Sequence, residues 1–181
     1  MKIDVLCSSS EHPVFRWLGE WCERHSGVHR VSLITAADRA DGGDVLFLVS
    51  CTKIISNSIR KKYAHVLVLH ASDLPNGRGW SPHIWAIVTG AEEIVVSLLN
   101  AEDAVDTGAV WCKTSFHVPK HALYNEINEA LFVAEGELMD KALWLIENGE
   151  HPSPQQGVCE TVWPRRTPND SEIDPDASIA S

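Results

Sequence analysis

The sequence has 181 residues, of which 44% are hydrophobic and 22% charged, and its formal net charge is −10. This composition is typical of one globular domain with its own core, and it excludes a disordered chain. The negative charge argues against nonspecific binding to nucleic acid, because a phosphate backbone requires a basic surface.

The cysteines and the amino terminus indicate the compartment. The five cysteines are odd in number and widely spread, and no pair has the spacing of zinc ligands. We therefore expect reduced thiols and a cytoplasmic protein. The apolar start, residues 2–7, is too short for a signal peptide, and no segment reaches membrane-spanning length. The sequence thus predicts no membrane association.

The first half of the chain alternates short apolar runs with segments of helical spacing. The run at 44–51 is uninterrupted, as in strands that are covered on both faces. Pro13 suits the first turn of a helix that follows three serines. Strands are predicted over 2–7, 28–35, 44–51 and 65–70, and helices from Pro13, over 56–64 and over 81–90.

The second half predicts two more strands and a long helix. The strands cover 94–99 and 109–116, and the charge of Lys113 places the second strand near an edge. Apolar residues recur at helical spacing from Ala122 to Asn148, and Gly149 ends this amphipathic helix.

The alternation of strands and helices predicts a fold class. It favours an α/β domain whose sheet is mostly parallel, with right-handed crossovers. In such sheets, ligands bind beyond the carboxyl ends of the strands. Cys51, His70 and the residues after Leu99 lie at predicted strand ends, so a site is expected among them.

His70 lies in the most unusual stretch of the chain, residues 69–82. A histidine that ends a buried strand is often a core residue with one backbone partner. Here, however, prolines bracket Gly77 and Gly79, and glycine is needed where backbone approaches a ligand or adopts positive φ. Arg78 between them suits phosphate or carboxylate. The mixture favours a functional loop over a structural one.

The acidic turn between the last two strands holds Glu102, Asp103 and Asp106. Such turns are usually solvated surface loops. Asp106, however, precedes Thr-Gly and a strand, so it is expected at the neck of the loop, facing the end of the sheet. A carboxylate there can hold an imidazole protonated or accept a proton from an amine.

Three other interpretations are weaker. His117 and His121 are four residues apart, but Pro119 between them prevents a shared helical face, so no metal site is predicted. The glycines around Arg78 match neither a Walker loop nor a dinucleotide fingerprint. Cys51 has the position of a nucleophile, although a buried inert thiol is more common.

The motifs resemble a known enzyme family. "LHASDLPNGRGWSPHIWAIVTG" followed by "VDTGAV" is similar to the formyltransferases that use 10-formyltetrahydrofolate. The "GWSP" version, with "LVSCTKII" upstream, is most similar to the branch that formylates nucleotide-linked amino sugars. The segment Trp163–Asp174 also resembles one that follows the catalytic core in sugar formyltransferases.

The resemblance implies a Rossmann-like fold and a set of site residues. It assigns residues 1–150 to the formyltransferase-like domain and 151–181 to an extended tail on or near the site. His70 would stabilise the oxyanion, and Asp106 would orient or charge His70 and help remove the proton from the amine. The contacts implied for the folate are Cys51, Thr52, Ile54, Asn100, Ala101, Glu102, Asp103 and Val105, and those for the substrate are Arg78, Trp80 and Trp163.

The chain departs from the family pattern at Val68, which stands where the family has asparagine two residues before the histidine. Losing one oxyanion donor costs a factor on the order of 10²–10³ in rate. Ser50, Thr52 and Asn100 are the candidates to replace that donor. The 69 residues before His70 are also fewer than in full-length relatives, so the sugar-nucleotide platform is expected to differ.

Two functions remain after the neighbouring enzymes are ranked. The first is formyl transfer to the amino group of a nucleotide-linked sugar, and the second is binding of folate or nucleotide without catalysis. A methionyl-tRNA formyltransferase would carry a basic RNA-binding domain, and a glycinamide ribonucleotide formyltransferase a glycine-rich loop after its first strand. A homodimer through Trp111 and Phe116 is also expected.

Overall fold

The computed structural model of this chain describes residues 1–172. The end of the predicted tail, and Ile173 and Asp174 of the Trp163–Asp174 segment, lie outside the described residues. The strands are β1 (Lys2–Leu6), β2 (Arg30–Ile34), β3 (Gly43–Leu48), β4 (Tyr63–His70), β5 (Arg78–Gly79), β6 (Glu93–Asn100), β7 (Val110–His117) and β8 (Val162–Trp163). The α-helices are α1 (Val14–His25), α2 (Asn57–Arg60), α3 (Pro82–Val88) and α4 (Tyr124–Glu147), and short 3₁₀ turns cover Ala37–Arg39 and Pro168–Ser171.

The predicted fold class is confirmed. Six strands form one sheet in the order β2-β1-β3-β4-β6-β7. The first four pair in parallel, and β6 and β7 are antiparallel to their neighbours. The edge position of β7 agrees with the charge of Lys113 on that strand. Strand β5 and strand β8 form a separate two-stranded ribbon, in which the tail pairs with the loop that follows His70.

The core fills both faces of the sheet. On one face, α1 and α4 cover a cluster that includes Trp21, Phe47 and Leu138. On the other face, a smaller cluster includes Leu46, Ile55 and Val66. Strands β3 and β4 supply residues to both clusters, which explains why their sequences are continuous apolar runs.

Strand β3 ends earlier than the apolar run predicted. It stops at Leu48, and Ser50 has a φ of +50°, which an extended strand does not allow. The chain therefore turns away from the strand direction before Cys51. Among residues 1–172, no helix combines the length and the apolar character needed to cross a membrane.

Candidate functional site

The candidate site is a cavity of about 690 Å³ at the carboxyl ends of β3 and β4. Its walls come from the loop after β3, the loop between β6 and β7, the start of α3 and the inward face of α4. This is the edge at which a doubly wound sheet places its ligands. His70 and Asp106 both line it.

His70 ends β4 with its side chain buried, at 7% exposure. Its Nε2 lies 2.9 Å from the carbonyl oxygen of Gly77. Because a carbonyl can only accept, Nε2 carries the hydrogen of this bond. The other ring nitrogen, Nδ1, faces the Asp106 carboxylate at 3.6 Å from Oδ2. Nδ1 is therefore the ring nitrogen that can form a hydrogen bond with a bound reactant.

Asp106 has a backbone conformation that few residues adopt, with a φ of +55°. Aspartate tolerates this left-handed region better than most residues. The conformation brings its carboxylate, 8% exposed, back over the sheet, where Oδ2 accepts the backbone N–H of Gly79 at 2.9 Å. The two residues that the sequence predicted to act together thus lie side by side, although 36 positions separate them.

The tail fixes the turn that carries Asp106. The Gln155 side-chain amide donates to the carbonyl oxygens of Asp106, at 2.8 Å, and Gly108, at 2.9 Å. Its Oε1 accepts a hydrogen bond from the Arg78 guanidinium at 2.7 Å. Gln155 was not predicted from the sequence, because no local pattern indicates a contact with residues nearly fifty positions away. Gln155 joins the two loops that hold the site.

The loop after His70 is held by hydrogen bonds at both ends. Ser97 donates to the carbonyl oxygen of Ser72 at 2.7 Å, and Lys113 donates to that of Leu74 at 2.6 Å. On the other side, the Gly77 N–H donates to Thr161 in the tail at 2.9 Å. The prolines and glycines of residues 69–82 therefore let this loop pack closely against both His70 and the tail.

Seven of the eight predicted folate contacts line the cavity: Cys51, Thr52, Ile54, Asn100, Ala101, Glu102 and Val105. The Asp103 carboxylate instead pairs with Arg60 and is 85% exposed. Burial raises the pKa of the Cys51 thiol to about 11, and this thiol donates to the Leu6 carbonyl oxygen. A thiol that stays protonated at neutral pH is a wall residue and not a nucleophile.

The three predicted substrate residues are not equivalent. Trp80 lines the cavity and is 40% exposed. The Arg78 guanidinium is engaged by Gln155, and Trp163 stacks on Trp85 with ring centroids 5.6 Å apart. Arg78 and Trp163 lie outside the cavity lining, so their contacts support the loop and the tail.

Val68 lines the cavity beside His70, where the motif would have an amide donor. The three proposed replacements, Ser50, Thr52 and Asn100, line the same cavity. The side chain of Asn100 is oriented by Trp111, whose indole N–H donates to its Oδ1 at 2.8 Å. Its amide hydrogens therefore remain available to a ligand.

Sequence reasoning also missed a polar group on the long helix. Glu135 lines the cavity at 6% exposure, and its Oε2 finds no hydrogen-bond partner within residues 1–172. Burial raises its pKa to about 8. Asn128 on the same helix and His83 on α3 line the cavity too. Positions 128, 131, 132 and 135 share one helical face. The polar residues Asn128 and Glu135 on this otherwise apolar face were the sequence signal that could have identified these cavity residues.

Replacing Glu135 by glutamine should change how stability depends on pH. The Glu135 carboxyl keeps its proton up to about pH 8 when folded, but it loses that proton near 4.5 when unfolded. Between these values the unfolded state releases a proton that the folded state retains, so the wild-type free energy of unfolding falls with rising pH. Relative to the variant, the fall should be on the order of a few kcal/mol.

Urea unfolding of both proteins from pH 5 to pH 9 measures this difference. The exposed residue Glu137, two positions along the helix, provides the control Glu137→Gln, which should follow the wild type. A stability difference between wild type and Glu135→Gln that stays constant with pH would contradict the assignment.

Comparison with known sequences agrees with this geometry. The sequence model of the family described as Formyl transferase matches residues 34–143, which is more than half of the chain. The match includes β3, β4, the loop after His70, and Asp106. It thus contains both residues of the central pair.

Two curated relatives cover much of this chain. The mitochondrial 10-formyltetrahydrofolate dehydrogenase of Homo sapiens is 30% identical over 168 residues, which is 87% of this chain and 17% of that protein. The methionyl-tRNA formyltransferase of Pelotomaculum thermopropionicum is 29% identical over 126 residues, which is 68% of this chain and 40% of that protein. The chain therefore spans well under half the length of either relative.

Two solved structures share the fold. HypX from Aquifex aeolicus in complex with tetrahydrofolic acid has a TM-score of 0.80 at 24% identity, covering 99% of this chain and 32% of that one. The formyltransferase PseJ from Anoxybacillus kamchatkensis, in complex with UDP-4,6-dideoxy-4-formamido-L-AltNAc and tetrahydrofolate, has a TM-score of 0.68 at 18% identity and covers 94% and 89%. From the matched segment and the shared fold, we conclude that this chain belongs to the formyl transferase family.

Proposed function

We propose that this protein transfers a formyl group from 10-formyltetrahydrofolate to the amino group of a nucleotide-linked amino sugar. The observation that carries the proposal is the buried pair of His70 and Asp106, 3.6 Å apart, on the wall of a cavity of about 690 Å³. A cavity of that volume is within the range of sites for small organic ligands.

The pair suits attack of an amine on a formyl carbon. The attack creates an oxyanion and a positively charged nitrogen. When both ring nitrogens of His70 are protonated, Nε2–H is held by Gly77 and Nδ1–H is free to donate to the oxyanion. The carboxylate of Asp106 stabilises that imidazolium, accepts a proton from the attacking nitrogen and returns it to N10 of the leaving folate.

The other side of the cavity suits a flat heterocycle such as a pterin. Leu48, Ile55, Val68 and Leu99 give it an apolar wall, and the backbone of 100–105 supplies polar groups at its rim. The solved structures of HypX and PseJ contain tetrahydrofolic acid or tetrahydrofolate on the same fold, which supports a folate as the formyl donor.

The charge of the chain favours a small acceptor over tRNA. A net charge of −10 repels a phosphate backbone, although methionyl-tRNA formyltransferases are among the curated relatives. At the cavity rim, the Arg165 guanidinium lies over the Trp80 ring, 5.1 Å from its centroid. An exposed indole beside a cation can stack on a base and contact a diphosphate. The PseJ complex, which holds a UDP-linked formamido sugar, supports the same class of acceptor.

Release of tetrahydrofolate from 10-formyltetrahydrofolate is the direct test. In the presence of UDP- or dTDP-linked amino sugars, the wild type should release tetrahydrofolate together with an equal amount of formamido sugar, detected by mass spectrometry. The corresponding hydroxyl sugars are the control and should accept no formyl group. If no amino sugar in a broad panel were formylated, the proposed function would be contradicted.

Binding without catalysis is the second candidate. The observation in its favour is Val68, which removes the amide donor expected beside His70. In that case tetrahydrofolate would bind to the cavity and quench the fluorescence of Trp80, and no amine would be formylated. The retained pair of His70 and Asp106 favours the catalytic function.

A further inference from the structure

The cavity reaches beyond the folate side to the opposite face of the sheet. There it is lined by four polar side chains, which we name the α4 recess: His12, His83, Asn128 and Glu135. The neighbouring residues Leu131 and Phe132 belong to the core cluster under α1 and α4, whereas Ile55 on the folate side belongs to the other cluster. The α4 recess is therefore the part of the cavity that faces α4 and the core cluster beneath it.

The Glu135 side chain is buried in the wall of the α4 recess. Oε2 is buried and has no hydrogen bond to any part of the chain that the structure describes. Burial alone raises the pKa of this carboxyl, with no contribution from a nearby cation. A buried polar group that is left unsatisfied costs free energy, so its retention in a cavity wall calls for a ligand.

Both histidines of the α4 recess have lowered pKa values. His83 has its pKa lowered to about 4 by burial and by the charges of His12 and His70, so it is neutral at pH 7. Burial also lowers the pKa of His12. Cys7, directly after β1, has its pKa raised mainly by burial and further by the charge of Glu135, and Asn128 carries no charge. The α4 recess thus holds one carboxyl group and no lysine or arginine.

We propose that the α4 recess binds the ammonium group of the formyl acceptor, with Glu135 as the carboxylate that receives it. His83 and Asn128 supply further hydrogen bonds to the same group. This inference rests on the proposed function, because it takes the acceptor to be an amine. The ligand then supplies the positive charge that pairs with the Glu135 carboxylate. This ion pair forms where water is largely excluded.

The same contact prepares the amine for attack. An alkylammonium has no lone pair, so it must lose a proton before its nitrogen bonds to the formyl carbon. The Glu135 carboxylate takes that proton and later releases it to water. The C–N bond then forms, the bond between the formyl carbon and N10 breaks, and N10 receives the second amine proton through Asp106. The products are a formamide, tetrahydrofolate and one released proton.

Glucosamine and glucose are matched probes, since they differ by an ammonium in place of one hydroxyl. In protein labelled with ¹³C at the glutamate carboxyl, the Glu135 resonance is identified by its loss in Glu135→Gln. Glucosamine should lower the pH midpoint of this resonance by at least about one unit, a tenfold preference for the ionised form. Glucose should leave the midpoint unchanged. An equal response to both sugars would indicate hydroxyl recognition, and no response to glucosamine up to its solubility would also overturn the proposal.

Kinetics separates this proposal from the proposed function. With an amino sugar that is formylated, Glu135→Gln should raise KM for the amine by roughly tenfold or more, because the amide keeps the shape and loses the charge. The Kd for tetrahydrofolate should stay at the wild-type value, and Glu137→Gln should match the wild type throughout. An unchanged KM in Glu135→Gln overturns the role of Glu135, whereas absence of wild-type turnover overturns the proposed function and leaves the carboxyl titration as the deciding test.

Discussion

Replacing Asp106 by asparagine is expected to lower the rate of formyl transfer by about a thousandfold or more. The side-chain oxygen of asparagine can still accept the Gly79 N–H, so the turn should keep its shape. What is lost is the negative charge beside Nδ1 of His70 and the acceptor for the amine proton. Single-turnover measurements with saturating donor and amine report this step directly.

His70→Ala should reduce the rate by a factor on the order of 10²–10³, because it removes the donor to the oxyanion. If the pair acts as one unit, the double variant should lose little more than the worse single variant. Asp38→Asn, at an exposed position before β3, is the matched control and should keep the wild-type rate. A rate in Asp106→Asn within a few-fold of wild type would remove the pair from the mechanism.

Gly79→Ala is expected to destabilise the protein by about 3 kcal/mol or more and to abolish activity. Gly79 has a φ of +105°, and a Cβ there would collide with the carbonyl oxygen of Trp163. Both the left-handed backbone and this collision with backbone of the tail oppose the substitution. Because the Gly79 N–H binds Asp106, the shift that relieves the collision also displaces the carboxylate.

Gly90→Ala measures the cost of the left-handed backbone conformation without a steric collision. Gly90 has a similar φ of +93°, but a Cβ there meets nothing within 4 Å. Its substitution should cost only about 1 kcal/mol, the penalty of the backbone conformation. Urea unfolding gives both free energies, and limited proteolysis shows whether residues 160–172 have left the loop. Equal losses in the two variants would mean that the docking of the tail on Gly79 contributes little.

The sheet could be predicted because its physical signals are local. Continuous apolar runs at 44–51 and 65–70 indicated strands covered on both faces, and parallel strands necessarily bring their carboxyl ends to one edge. That rule placed His70 at the site, the Thr-Gly and strand after Asp106 placed this residue at the loop neck, and the motif resemblance implied their roles. The early end of β3 was missed, because the turn at Ser50 follows from a backbone conformation that the run of apolar residues does not reveal.

The rest of the site depends on contacts that a linear pattern does not contain. Gln155 binds the carbonyl of Asp106 through a tail whose course is set by pairing with β5. Glu135 lies within a helix of mixed composition, and charged helical residues usually face solvent. Arg78 and Asp103 were predicted to contact the substrate and the folate, and in the structure their side chains bind Gln155 and Arg60.

The most direct measurement is a crystal structure of the protein with tetrahydrofolate. We expect the pterin between residues 51–55 and 100–106, and N10 beside Nδ1 of His70 and Oδ2 of Asp106. Folate bound elsewhere on the protein, or bound in the cavity with N10 turned away from both side chains, would contradict the central claim that this pair performs the transfer.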